Sequence, residues 1–267
     1  MRIAIIFLLI TYFISFVHAG ERIISLAPSI TEMVYALGAG DKLVGVTKHC
    51  DYPPEAKKKP KIGTFIHPSF EAIVNLEPDL VIALEKATPF HIISRLKKIN
   101  IKVLVLKNKG LDSIWENLLL LGKILDRETI AKRLVKKLQN EIKILSKQVK
   151  GLPKPKVFWQ IGIHPLITCG RSSYHHELIN LAGGINIVKE NTAYPIYNLE
   201  EVIKAQPDII IVSNMESKVA KTFWQKFQIT NRIYIVNSDI FDRPSPRIIQ
   251  ALKILIQILH PEVAIDS

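Results

Sequence analysis

The residues best able to do chemistry are few and scattered. His49-Cys50-Asp51 stand together, Cys169 stands alone, and His175-His176 form an adjacent pair. A zinc site needs three or four such ligands at definite spacings. These fall in three separate stretches without such a spacing, and neighbours on a helix point about 100° apart. G-x-S-x-G, H-E-x-x-H and a phosphate-binding glycine loop are all missing. The count of two cysteines, Cys50 and Cys169, excludes a disulfide-built scaffold. Both lie in strand-end loops of different halves of the chain, so two free thiols are expected, each in its own half. The chemistry on offer is recognition rather than catalysis. No enzyme activity, metal site or cofactor is expected.

A second pattern concerns binding. "FEAIVNLEPDLVIA" (70–83) and "LEEVIKAQPDIIIV" (199–212) follow one plan: a Glu-bearing helix, Pro-Asp, then an aliphatic run. Solenoid repeats recur every 20–50 residues, whereas these two lie 129 apart. They predict two similar lobes. Phe65 precedes Glu71 by six residues, and Tyr194 precedes Glu200 by six. Two such rings facing each other across a cleft suit a large, flat, partly apolar ligand.

The elements that position these residues are legible as an alternation. "RIISLAPS", "KLVGVT", "DLVIAL" and "IKVLVL" read as strands, separated by helical stretches, as in a parallel sheet covered on both faces. Ser29 or Thr31 is expected to cap the first helix, and Ser69 the short helix before Pro78. From Asp112 to Lys150 there is no proline, and Ile130, Leu134, Leu138, Ile142, Leu145 and Val149 recur at helical spacing. The strand–helix pattern then restarts at "KVFWQIG" and ends in "SPRIIQALKILIQIL". The fold class is α/β, two Rossmann-like lobes with mostly parallel sheets joined by one long helix. The expected boundaries are 1–19, 20–111, 112–152 and 153–267. Open parallel sheets bind ligands at the carboxyl ends of their strands. Here those ends gather His49, Tyr52, Phe65, His67, Phe90, His164, Tyr174, Tyr194, Tyr197 and Phe241.

The first segment is not part of either lobe. Arg2, an apolar run to Val17, and Val17-His18-Ala19 read as a secretory signal peptide cleaved after Ala19. Without it the chain carries 35 basic and 24 acidic residues, net +11. The lysines are spread along helical stretches without aromatic interleaving, so a solvated face is expected and no nucleic acid.

"RIISLAPSITEMVYALGAGDKLVGVTKHCDYPPEAKKKPKIGT", "EPDLVIA", "VFWQIGIHPLITCG" and "SDIFDRPSPRII" resemble the periplasmic cobalamin-binding proteins that feed ABC importers. The resemblance spans nearly all of the chain after Ala19. It implies two lobes on a long helix that move little and clamp a corrinoid between them. It further implies a monomer in the periplasm that hands its ligand to a permease dimer. Carried over by position, the ligand contacts are Pro28, His49, Phe65, Leu84, Ile167, Tyr194, Asp239 and Arg243. Positions 49, 84 and 167 are often aromatic in that family, and 194 is a Trp there. The resemblance makes Glu71 and Glu200 a pair that docks on arginines of the two-fold-symmetric permease. Residue chemistry alone leaves Arg243 the option of a structural ion pair with Asp239 or Asp242. The alternative ligand is haem or a ferric siderophore, with His49 as an iron ligand.

Overall fold

The computed structural model describes residues 21–213 and 217–265. The expected signal segment lies outside the described residues. Lobe one runs β1 (Ile23–Ser25), α1 (Pro28–Ala36), β2 (Leu43–Val46), α2 (Phe70–Asn75), β3 (Leu80–Leu84), α3 (Phe90–Lys98) and β4 (Lys102–Leu106). Its four strands are parallel in the order β2-β1-β3-β4. Two helices follow, α4 (Asp112–Ile124) and α5 (Glu128–Gln148). Lobe two runs β5 (Lys156–Ile163), β6 (Leu166–Thr168), α6 (Tyr174–Leu181), β7 (Ile185–Asn186), α7 (Leu199–Ala205), β8 (Ile209–Val212), α8 (Ser217–Gln225), β9 (Ile233–Ile235), α9 (Ser238–Phe241) and α10 (Ile248–Leu259). Its strand order is β6-β5-β8-β9, with β7 also paired to β5 and β6 antiparallel. No described helix is long and apolar enough to cross a membrane.

Aliphatic strands sort their side chains onto two faces with period two. In β1 and β3, Ile23, Leu80, Ile82 and Leu84 join a core that continues through α4 and α5 into lobe two. Their alternates Ile24, Val81 and Ala83 pack under α2 and α3. Lobe two repeats the arrangement. Val157, Trp159, Ile209 and Ile211 join the common core, and Phe158, Ile210 and Val212 face a separate cluster. Each sheet therefore has one private face and one face shared with the other lobe.

The Pro-Asp repeat has a structural meaning. Glu77 and Gln206 both adopt a left-handed conformation with φ 44°, which ends α2 and α7. The Asp79 carboxylate then accepts the Arg22 backbone N–H at 2.9 Å, and Asp208 accepts that of Lys156 at 2.7 Å. The Asp79 and Asp208 N–H groups return the bond, each to the same partner's carbonyl at 2.9 Å. The Arg22 guanidinium donates to the carbonyls of Leu76 and Glu77 at the end of α2. Lys156 Nζ does so to Ala205 at the end of α7. One device thus fastens the helix end to the first strand in both lobes, satisfying carbonyls that a helix terminus leaves open.

Two features differ in detail from the sequence reading. The region between the sheets divides at Leu125–Arg127, where Asp126 is left-handed at φ 56°. The chain folds back there so that α5 packs on α4. Gly122 makes this possible, because a Cβ at that position would collide with the Ala131 methyl. The long helix is α5, about 32 Å at 1.5 Å per residue. Helix α1 begins at Pro28 with Ala27 as its cap; the fixed φ of proline suits the first helical position. Neither Ser29 nor Thr31 caps it. Thr31 Oγ1 instead donates to Ser25 Oγ at 2.8 Å. Ser69 does cap α2, accepting from the Ala72 N–H at 3.1 Å.

Candidate functional site

The carboxyl ends of the strands present several exposed apolar side chains. In lobe one, Gly63 and Pro68 close a narrow loop. The Thr64 N–H donates to the His67 carbonyl at 3.1 Å, and the His67 N–H donates back to Thr64 Oγ1 at 3.0 Å. Phe65 and Ile66 are left at the tip, Phe65 40% exposed. Gly63 has φ 99°, and a Cβ there would lie 2.5 Å from the His67 carbonyl oxygen. Only glycine fits such a turn.

In lobe two the ring is mounted differently. Residues 193–197 run extended beside β6. Thr168 N–H donates to Pro195 O, Gly170 N–H to Ala193 O and Tyr197 N–H to Leu166 O. Ile167, a predicted contact residue, bridges Ile196 in this pairing. Tyr194 is 50% exposed, yet its hydroxyl lies 3.5 Å from Nδ1 of the buried His175. It therefore shows its ring outward and its oxygen inward. Burial pushes the phenol pKa up, and the Asp242 charge adds to this. His175 Nε2 bonds Asp242 at 2.9 Å, and Asp242 also accepts from Ser213, which accepts from Trp159 Nε1. The His175 ring stacks edge-on against Trp159 at 5.0 Å, and Trp159 against Phe241 at 5.4 Å. Tyr174 and Phe241, placed by sequence at the strand ends, are core residues.

Between the lobes lies a buried charge cluster. Glu32 of α1, only 3% exposed, accepts from Ser245 Oγ at 2.6 Å, from Arg247 Nε at 2.9 Å and from Arg243 at 3.2 Å. Arg243, 8% exposed, also donates to Asp51 at 2.6 Å, to the His49 carbonyl at 3.0 Å and to Asp239. Burial works against its charge, but the Asp51 hydrogen bond and the nearby carboxylates raise the Arg243 pKa above the ordinary value. Burial would likewise push Asp51 up. The Arg243 hydrogen bond and charge outweigh it and hold the carboxyl below the usual range. Arg247 lies 4.3 Å over the Tyr52 ring. Beside it Glu32, Tyr35, Tyr52 and Pro246 border a hollow of about 330 Å³ at the lobe junction. A wider depression, bordered by Pro155, Asp208 and Arg232, lies in lobe two at the opposite ends of the strands, away from both rings.

The predicted residues thus fall into groups. Arg243, Asp239 and the His49 backbone meet directly, and Arg243 makes the ion pair with Asp239 that residue chemistry had left open. Pro28 starts α1, half-buried. Leu84 ends β3, largely buried, bordering a small space with Pro244. Glu71 and Glu200 both sit exposed in the first turns of α2 and α7. Glu71 lies 3.7 Å from Arg95. Sequence reading missed Glu32, Asp51, Ser245 and Arg247 as members of the cluster. Cys50 and Cys169 are free and buried. Cys50 contacts Thr31 and Thr47 of lobe one, and Cys169 has Asn186 of lobe two. Among the described residues no group of three or more His, Cys, Asp or Glu is placed to hold a metal ion.

The chain matches the family described as periplasmic binding protein over residues 23–233. It is 34% identical to the vitamin B12-binding protein of Pectobacterium atrosepticum over 239 residues, 86% of this chain and 85% of the relative. Its structure is similar to the periplasmic vitamin B12-binding protein BtuF of Vibrio cholerae, at TM-score 0.78 and 29% identity, covering 90% of this chain and 97% of that one. It is also similar to the apo periplasmic heme-binding protein RhuT of Roseiflexus sp. RS-1, at TM-score 0.80 and 26% identity, covering 91% and 98%. The alternating α/β lobes, the exposed rings at their strand ends and these matches agree: the chain belongs to the periplasmic binding protein family.

Proposed function

We propose that the protein captures cobalamin or a related corrinoid between its two lobes in the periplasm and delivers it to an ABC-importer permease, without catalysing a reaction. The observation that carries this reading is the pair of half-exposed rings, Phe65 and Tyr194, at matching places on the two carboxyl edges. A corrinoid has flat, partly apolar faces and an amide-bearing rim. The rings would cover the faces, with Ile167 and Ile196 beside Tyr194. Asp239 and Asp51 keep partly exposed carboxylates that accept from rim amides, while Arg243 between them fixes both. Pro28, His49 and Leu84 complete the wall. The core shared between the lobes favours a clamp with little hinge movement. Glu71 and Glu200, one per lobe, supply matching contacts for a two-fold partner, where charge pairs chiefly set register and encounter rate.

Similarity to RhuT supports haem as the second ligand reading, with exposed His49 as the iron ligand. Against it, the Tyr194 oxygen is turned towards His175 and away from the cleft. Titration of the protein with cyanocobalamin and with haemin, followed by absorbance and calorimetry, separates the two. Saturable one-to-one binding of cyanocobalamin is expected. A Soret shift with haemin and no cobalamin binding would replace this reading.

A further inference from the structure

We infer that one face of α5 is a docking stripe for an anionic bilayer surface. Four lysines on this helix, Lys132, Lys136, Lys143 and Lys147, fall within an arc of about 60° when residues are set 100° apart. They extend along about 22 Å of the axis. All four are exposed. Arg133 and Lys137 flank them, and Lys150 follows just beyond the helix end. The buried residues Ala131, Val135, Leu138, Ile142 and Leu145 occupy another face, packed on the core. The stripe therefore points out of the molecule.

An ordinary solvated helix face interleaves signs, with Glu and Lys four apart supporting each other. Over most of the stripe helix α5 does the reverse. Lys132/Lys136, Arg133/Lys137 and Lys143/Lys147 are like-charge neighbours at i,i+4, an arrangement that costs helix stability. Its two acidic residues lie at the margins, where Glu128 pairs with Lys132 at 3.5 Å and Glu141 with Lys137 at 3.8 Å. Among the described residues Lys136, Lys143 and Lys147 have no ion pair. Lysines rather than arginines fill the stripe. They are flexible point charges without the bidentate fork that reads a particular phosphate. That chemistry suits a diffuse sheet of negative charge, as presented by acidic phospholipid headgroups, better than a single small anion. A stripe that runs along one helix axis can also present its charges to a plane in a single line. Binding there would hold the carrier near a membrane without occupying the cleft, so the inference stands whichever ligand the cleft takes.

The test is flotation of the full protein, after removal of residues 1–19, with vesicles of phosphatidylglycerol and phosphatidylethanolamine, against vesicles of phosphatidylcholine. Binding to the acidic vesicles is expected at about 20 mM salt and release at about 500 mM, where screening shortens to a few ångströms. A surface lysine contributes about fivefold in partitioning. The quadruple variant Lys132→Gln, Lys136→Gln, Lys143→Gln, Lys147→Gln should thus lose on the order of several hundredfold. A control variant, Lys57→Gln, Lys97→Gln, Lys189→Gln, Lys226→Gln, removes the same charge elsewhere and should keep most binding. Circular dichroism melting of both variants checks that they fold. No binding to acidic vesicles overturns the inference, as does an equal loss in the control, which would make the effect one of net charge. Binding to heparin-agarose with none to vesicles would assign the stripe to a polyanionic chain instead.

Discussion

Phe65 and Tyr194 occupy matching places in the two lobes but are mounted in opposite ways. Phe65 stands at the tip of a narrow turn that is closed by the Thr64–His67 hydrogen bonds and tied to lobe one by the Lys48 N–H on the Gly63 carbonyl, and whose shape depends on Gly63. Tyr194 is stitched to β6 and rests on a hydrogen-bonded stack that reaches His175, Asp242, Ser213 and Trp159. The Pro-Asp units beneath them are the same in both lobes, down to the left-handed residue before the proline. The frame is therefore the same in both lobes, while the loops at the carboxyl edges of the strands differ. A symmetric exterior and an asymmetric interior are compatible because the shared features lie in helix ends and the differing ones in loops.

The largest expected effect comes from removing the joint between the two halves. Glu32→Ala leaves Arg243 and Arg247 buried with fewer counter-charges. Breaking a buried pair costs about 3–5 kcal/mol, so melting should fall by many degrees and ligand affinity with it. A melting temperature near that of the parent would show that the lobes are held by apolar packing alone. Next in size is the ring on the turn. Phe65→Ala should cost about 1.5–3 kcal/mol of ligand affinity, the value of burying such a side chain, with little change in melting. Gly63→Ala should weaken binding by a similar amount through the turn. Equal binding by parent and both variants would remove the Phe65 turn from the site.

The comparison also predicts equality. Asp79→Ala and Asp208→Ala each remove a hydrogen bond from an exposed backbone N–H to a carboxylate, worth about 1 kcal/mol. Chemical denaturation should give the two variants similar losses. A difference beyond about 1 kcal/mol would mean that the repeated units are not equivalent anchors. The smallest effect is that of acid on the joint. Asp51 has a folded pKa lowered by Arg243. Its contribution is present above the unfolded pKa and is lost as pH falls through the folded one. Stability should decline as pH drops below about 4, the ordinary aspartate range, and the decline should be shallower in Asp51→Asn.

Much of this architecture was legible because it rests on local signals. Strand positions followed from aliphatic runs, and Ser69 was readable as a cap from its place before "FEA". The lone thiols were readable from their count and positions. The Pro-Asp repeat was visible, but its purpose was not. Nothing local links Asp79 to Arg22, 57 residues away. The cluster around Glu32 was hidden for the same reason: its arginine and serine partners lie 211 to 215 residues along the chain. The resemblance pointed to Arg243, but not to its burial. Strand β6 and helix α9 were too short to carry a periodic signal. The divided linker was missed because Leu125, at the break, is buried and continues the apolar pattern.

The face that each sheet shares with the other has a consequence for how the molecule can be taken apart. Ile82 and Trp159 belong to one apolar body that also holds Leu118 of α4 and Leu138 of α5. A fragment ending at residue 111, or one starting at 153, would carry its share of that body as bare surface. Neither fragment is therefore expected to fold as a module that could be produced alone, fused to another carrier or exchanged between relatives. Heating the whole chain should therefore give a single calorimetric peak, with the measured enthalpy equal to the van't Hoff value.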